Sequence, residues 1–213
     1  MPRLPSSGSG ISGALFSLIP VVAAVLGLLG LAGQAESGPA PAAEKAPTLI
    51  SGLGNHVHPI TTHNPEPQKF FDQAFMLLYR FNPYEALRSF GRAAELDPTA
   101  AMPHWGIAMV FRPHINMDFD GDVDMKKSCE ALHAAQALVQ KASECERAYI
   151  DAASARCPEY RPVAYQKAMR GLAQLYPDDL DAATVYAESL MIPTRWKWWT
   201  SDGTPAQGKE NGL

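Results

Sequence analysis

The chain has 213 residues, the size of one domain or a short array of repeats. Hydrophobic residues make up 46% and charged residues 19%, proportions that bury a core and exclude a chain disordered throughout. A formal net charge of -4 and the lack of any basic run exclude a face built for nucleic acid.

In chain order, residues 1–35 come first. Arg3 is the only charge before the apolar run "ALFSLIPVVAAVLGLLGL" from Ala14 to Leu31, and Gly33 and Ala35 stand where a cleavage site needs small residues. The segment reads as a secretory signal, with an uncleaved anchor through residues 14–31 as its rival. Pro20, Gly27 and Gly30 weaken the run as a durable helix. The chain is therefore expected to be exported, secreted or periplasmic, or membrane-anchored with its folded part outside the cytoplasm. Residues 36–48 form a Pro/Ala linker without apolar periodicity.

The next stretch, "GLGNHVHPITTH", holds His56, His58 and His63. In an extended segment His56 and His58 point to the same side, a spacing able to chelate zinc or copper. His63, His104 or His114 is then the source of a third ligand. No Glu or Cys lies nearby in sequence, and histidines ahead of a helix commonly cap or pack. The structural reading is preferred, and a metal set beginning at His56, His58 and His63 is the alternative.

From Pro67 to Ala100 two helical patterns flank "RFNPY", where Asn82 and Pro83 supply a turn. Phe70, Phe71, Ala74, Leu77 and Leu78 form the stripe of the first. Ala86, Phe90 and Ala93 form that of the second, which Pro98 closes. Two such helices approach closely where the small Ala74 and Ala86 meet, with Phe70 and Phe90 filling the space beside the crossing. One pair cannot cover its own apolar faces and calls for stacked neighbours.

Counted from Pro67, the residues Phe70, Ala74, Leu77, Ala86, Phe90, Ala93 and Pro98 fall at positions 4, 8, 11, 20, 24, 27 and 32 of a 34-residue frame. The stretch resembles a tetratricopeptide repeat; Gln73, at position 7 where that family prefers Leu, departs from it. A degenerate second repeat over residues 101–140 keeps Ala108 and Phe111 in "AMPHWGIAMVF" and is broken by the insertion "RPHINMDFDGDVDM". Further helical patterns occupy residues 143–191: "SECERAYIDAASA", "PVAYQKAMRGLAQLY" and "DDLDAATVYAESLM", the last capped by Asp178 or Asp179. The combined order from Leu49 to Gly203 is similar to the N-terminal part of large secreted tetratricopeptide-repeat proteins, mostly bacterial. Those relatives continue with more helical pairs, so this chain is expected to be a truncated or alternative product.

The insertion lines up Asn116, Asp118, Asp120, Gly121 and Asp124 with a calcium loop, but Lys127 stands where a bidentate Glu closes the cage. A solvated acidic loop is the preferred reading. Of the three cysteines, Cys129 and Cys157 are the better pair for a disulfide if their helices run antiparallel, the other reading being three buried thiols. Trp196, Trp198 and Trp199 lie in the tail, residues 196–213, and form an apolar patch suited to a partner, a membrane interface or self-association if no further helix covers them.

The expected fold is all-α: tetratricopeptide-like stacked antiparallel helix pairs over residues 49–195, an α-solenoid incomplete at its C-terminal end. The expected function is a non-enzymatic scaffold for a protein or extended peptide, with no cofactor. No Gly-x-Ser-x-Gly elbow, phosphate loop or His-Glu-x-x-His occurs. Asp72, Phe75, Met76 and Tyr79, which fall off the Phe70, Ala74 and Leu77 stripe, are candidates for the partner-binding face, together with Trp196, Trp198 and Trp199.

Overall fold

A computed structural model describes residues 45–116 and 124–205. All of them belong to one compact unit, Glu44–Leu213. Among the described residues seven α-helices follow one another: α1 (Pro65–Tyr79), α2 (Pro83–Leu96), α3 (Met102–Val110), α4 (Met125–Leu138), α5 (Glu144–Ser154), α6 (Pro162–Leu175) and α7 (Leu180–Met191). Short 3-10 turns follow α4 and α7, at Val139–Lys141 and Ile192–Thr194. Among the described residues there is no strand, only an isolated bridge between Trp199 and Pro205.

Each helix begins where its sequence supplies an acceptor or a proline. The side chain of Asn64 accepts from the Glu66 amide to start α1, and Asn82 accepts from Glu85 to start α2. Ser143 and Glu146 form a reciprocal capping box at α5, and Asp179 accepts from the amides of Asp181 and Ala182 at α7. Pro65, Pro83, Pro103 and Pro162 sit in first turns, where a missing N–H costs nothing.

Consecutive helices pack on one another, and alternate helices also touch: α1 on α3, and α3 on α5. Phe70, Phe71, Ala74, Leu77, Ala86, Phe90 and Ala93 are all buried. At Gly106 a Cβ would lie 2.3 Å from the ring of Phe90, itself fully buried. Glycine is what lets α3 sit against α2 there. Trp105, one residue earlier, is fully buried between Phe75 and Tyr149.

Cys129 and Cys157 form a disulfide that ties α4 to the end of α5. Cys145 is a free, half-buried thiol whose pKa burial raises. The apolar run over residues 14–31, the linker over 36–44 and the loop residues Asp118, Asp120 and Gly121 lie outside the described residues. No helix among the described residues is long and apolar enough to cross a membrane. Asp124 accepts from the Lys127 amide as the cap of α4, and its carboxylate also pairs with Lys127 Nζ at 3.0 Å.

Asp97, at the C-terminal end of α2, is a second point of closure. It accepts from the hydroxyl of Thr62 at 2.7 Å, from the amide of His63, and from the amide and hydroxyl of Thr99. Burial alone would raise its pKa, but these donors outweigh it and hold the carboxyl at about 2. The unfolded chain then binds more protons between the ordinary carboxylate value and 2. Stability contributed by Asp97 is therefore complete above about pH 4 and lost as pH falls toward 2. Acid titration of the melting temperature is expected to show this loss in the native chain and a shallower one in Asp97→Asn.

Candidate functional site

Residues 45–64 run as an extended arm without regular secondary structure, turning at Gly52 and Gly54, whose φ angles of 82° and 93° lie in the left-handed region. Side chains of the helices hold its backbone. Gln73 on α1 accepts from the Ile50 amide at 2.7 Å, donates to the Thr48 carbonyl at 3.1 Å and donates to Ser89 of α2 at 2.9 Å. Asp72 accepts from the His58 amide at 3.0 Å, and Gln68 accepts from the Ile60 amide while donating to the His58 carbonyl. Glu146 on α5 accepts from the amide of Thr61 at 2.7 Å.

The departure at Gln73 thus has a physical reason. A leucine there would fill the same space but leave the arm's Ile50 amide and Thr48 carbonyl without these partners.

His58 is the centre of the arrangement, with 5% of its surface exposed. Its ring lies 5.8 and 5.1 Å from those of Phe71 and Phe75 on α1, 6.4 Å from Trp105 on α3 in a stacked pose, and 5.1 Å from Tyr149 on α5 edge-on. Its Nδ1 meets Asp181 Oδ2 of α7 at 2.8 Å. One arm residue therefore touches α1, α3, α5 and α7, every alternate helix among the described residues.

Asp181 gathers two more groups. His56 Nε2 lies 3.0 Å from the same Oδ2, and the hydroxyl of Tyr79 donates to Oδ1 at 3.0 Å. Burial would raise the Asp181 pKa, yet the hydrogen bonds of His58 and Tyr79 and the nearby His56 lower it. An ionised carboxylate only accepts hydrogen bonds, so His58 presents Nδ1–H and His56 presents Nε2–H to it. Asp179, two residues earlier, accepts from the Tyr149 hydroxyl at 2.7 Å while capping α7. Burial, first, and these carboxylates push the pKa values of Tyr79 and Tyr149 upward, so both hydroxyls stay protonated donors.

One ligand-type atom each from His58, Asp179 and Asp181 lies within 4.8 Å of the others. These residues line a cleft of about 460 Å³ with His56, Ser143 and Cys145. One imidazole and two carboxylates, with His56 beside them on Asp181, are donors of the kind that zinc or a similar divalent transition metal takes. Proton transfer is a poor use for it: four aromatic rings cover His58, and of the two histidines only His56, with 35% of its side chain exposed, meets solvent.

The other histidines go elsewhere. The His63 amide is on Asp97, His104 is half-buried on α3 with its pKa lowered by burial, and the His114 ring lies 6.3 Å from Phe81. His63 is thus not gathered with His56 and His58. Of the four residues singled out on α1, Asp72 holds the His58 amide and its carboxyl is raised by burial. Phe75 is fully buried between the two histidines, Tyr79 and Trp105. Tyr79 donates to Asp181, and Met76 faces the arm across a cleft that it lines with Ile50, Leu53 and His56. All four meet the chain's own arm or its Asp181 anchor. Trp196 and Trp199 remain 71% and 58% exposed, while Trp198 is half-buried, donates its Nε1–H to the Met191 carbonyl and stacks on Trp196.

Asp181 carries no site signal in the sequence because its partners lie 102 to 125 positions away. The only local signal was an acidic residue in the first turn of α7, which a helix dipole explains by itself. Compared with known proteins, the chain matches no protein-family model, no curated protein and no solved structure.

Proposed function

We propose that this chain is a non-enzymatic binding scaffold of tetratricopeptide-like helix pairs whose ligand is an extended polypeptide. The observation that carries the reading is His58, an extended-arm residue touched by α1, α3, α5 and α7 at once. In a stacked array of helix pairs the alternate helices line one common surface. Here that surface grips a peptide by its backbone through Gln68, Asp72, Gln73 and Glu146, and takes one side chain into an aromatic pocket. The peptide is the chain's own arm, so a foreign ligand either displaces it or docks on the exposed end carrying Trp196 and Trp199. The disulfide between Cys129 and Cys157 suits an oxidising compartment, which supports export or a membrane tether through residues 14–31.

The test separates arm from array. A protease site placed between His63 and Asn64 lets the arm be cut and washed away, and a labelled synthetic peptide of residues 45–63 is then titrated back. Saturable binding is expected, at least about tenfold weaker for the peptide carrying His58→Ala, since an imidazole's packing and charged hydrogen bond exceed 1.4 kcal/mol. Equal binding by both peptides, or none by either, contradicts the reading.

A second reading is favoured by the grouping of His58, Asp179 and Asp181 within 4.8 Å: a metal-binding protein whose ion joins the arm to α7. Elemental analysis of the full chain decides it. One equivalent of a divalent transition metal, lost in His56→Ala/His58→Ala, supports that reading, and a metal-free chain leaves Asp181 as an anchor for two imidazoles.

A further inference from the structure

On the far side of Tyr79 lies a second cavity of about 280 Å³. Its wall is mostly apolar, with Leu78, Ala187 and Met191 on it, and also carries His114, Thr184 and the charged pair Arg112 and Glu188. Arg112 donates NH1 to the Met109 carbonyl at 2.7 Å and pairs through NH2 with Glu188, and its side chain is only 5% exposed. Its Nε has no partner among the described residues.

Behind it is a second guanidinium, Arg156, fully buried. Its NH2 donates to the Ala108 carbonyl at 3.3 Å, and its charged plane lies 5.4 Å from the ring of Tyr165. Arg156 Nε, Arg156 NH1 and the Tyr165 hydroxyl have no partner among the described residues. Burial and the neighbouring Arg112 lower the Arg156 pKa to about 10, so both guanidiniums are charged at neutral pH. Two buried cations therefore face one carboxylate, a net charge of +1 with four unpartnered donors. A surplus buried charge of this kind is strongly destabilising unless an anion neutralises it.

We infer that this cavity binds an aliphatic monocarboxylate, with its carboxylate at the Arg112 end and its hydrocarbon along Leu78, Ala187 and Met191. One negative charge brings the Arg112, Arg156 and Glu188 group to neutrality, which an alcohol of the same length does not. The cavity is roughly twice the ~150 Å³ that holds a benzene ring, room for a chain of about eight carbons. The site uses neither His56, His58 nor Asp181, and shares with that cluster Tyr79, which lines the cavity and donates to Asp181.

Calorimetric titration of the full chain with sodium octanoate, and separately with 1-octanol, tests the inference. Octanoate is expected to bind one-to-one and at least about tenfold more tightly than octanol, the factor expected of one charge-assisted hydrogen bond. Ala187→Phe, which fills the cavity, is expected to abolish binding, and Glu188→Gln, which removes the competing carboxylate, to strengthen it. Octanol binding as tightly as octanoate, octanoate binding that survives Ala187→Phe with the helical fold intact, or no saturable heat would each overturn the inference. The comparison of the two ligands needs no variant, so it stands even if a substituted chain fails to fold.

Discussion

Asp181→Ala is expected to lower the melting temperature by about 8–16 °C, the equivalent of roughly 4 kcal/mol in a domain of this size. The carboxylate receives His58 Nδ1–H at 2.8 Å, His56 Nε2–H at 3.0 Å and the Tyr79 hydroxyl at 3.0 Å. Alanine leaves the buried His58 without an acceptor and strands the Tyr79 hydroxyl, each at about 1–3 kcal/mol, whereas water reaches the half-exposed His56 at smaller cost. Asp181→Asn keeps the shape and one acceptor oxygen, so its loss should be about half as large. Circular-dichroism melting of the three chains checks the order. A fall under about 3 °C for the alanine variant would mean that the three donors find other partners and that Asp181 does not anchor the arm.

Breaking the disulfide between Cys129 and Cys157 is the second large effect. The bridge closes a chain segment with a sequence separation of 28, and restoring that segment's freedom when unfolded costs about 3–4 kcal/mol of stability. It also joins α4 and α5, the consecutive helices that pack least on one another. Cys129→Ser/Cys157→Ser, or thiol reduction of the native chain, should lower the melting temperature by about 7–14 °C. Cys145→Ser should leave it nearly unchanged, since that thiol is half-buried and unbridged. An unchanged melt on reduction would contradict the assignment of the bridge.

The helices were legible in the sequence because each carries its own signals within a few residues. α1, α2, α5, α6 and α7 coincide with helical patterns of the sequence, and Asn82, Ser143 and Asp179 mark starts by side-chain chemistry that acts locally. The small residues of the first pair, Ala74 and Ala86, are buried as their spacing requires. The arm was legible only as a polar lead-in with three histidines. Nothing within ten residues of His58 reveals that Phe75, Trp105, Tyr149 and Asp181 will surround it, because those residues come from four helices spread over more than a hundred positions. Gln73 carried the faintest hint. A glutamine on an apolar stripe is a mismatch for the helix but a match for a backbone laid across it.

The same contrast explains the α1 residues. Asp72, Phe75, Met76 and Tyr79 lie off the stripe that faces α2, which sequence periodicity can establish; what they face instead is a tertiary fact. The arm covers them, and Trp196 and Trp199 are left as the large exposed aromatics at the C-terminal end. For the Arg112 cavity there was no sequence signal: Arg112 is on the link after α3, Arg156 follows α5, and Glu188 is on α7, with no spacing to connect them.

If the alternate helices hold the arm as a bound peptide, hydrogen exchange of the arm amides reports it residue by residue. Ile50, His58, Ile60 and Thr61 donate their amides to Gln73, Asp72, Gln68 and Glu146, while neighbouring Val57 is exposed. These four amides are expected to exchange as slowly as those in the middle of α1, and Asp181→Ala is expected to release His58, Ile60 and Thr61 together. Exchange of the four at the rate of an unfolded chain, with α1 still protected, would contradict it.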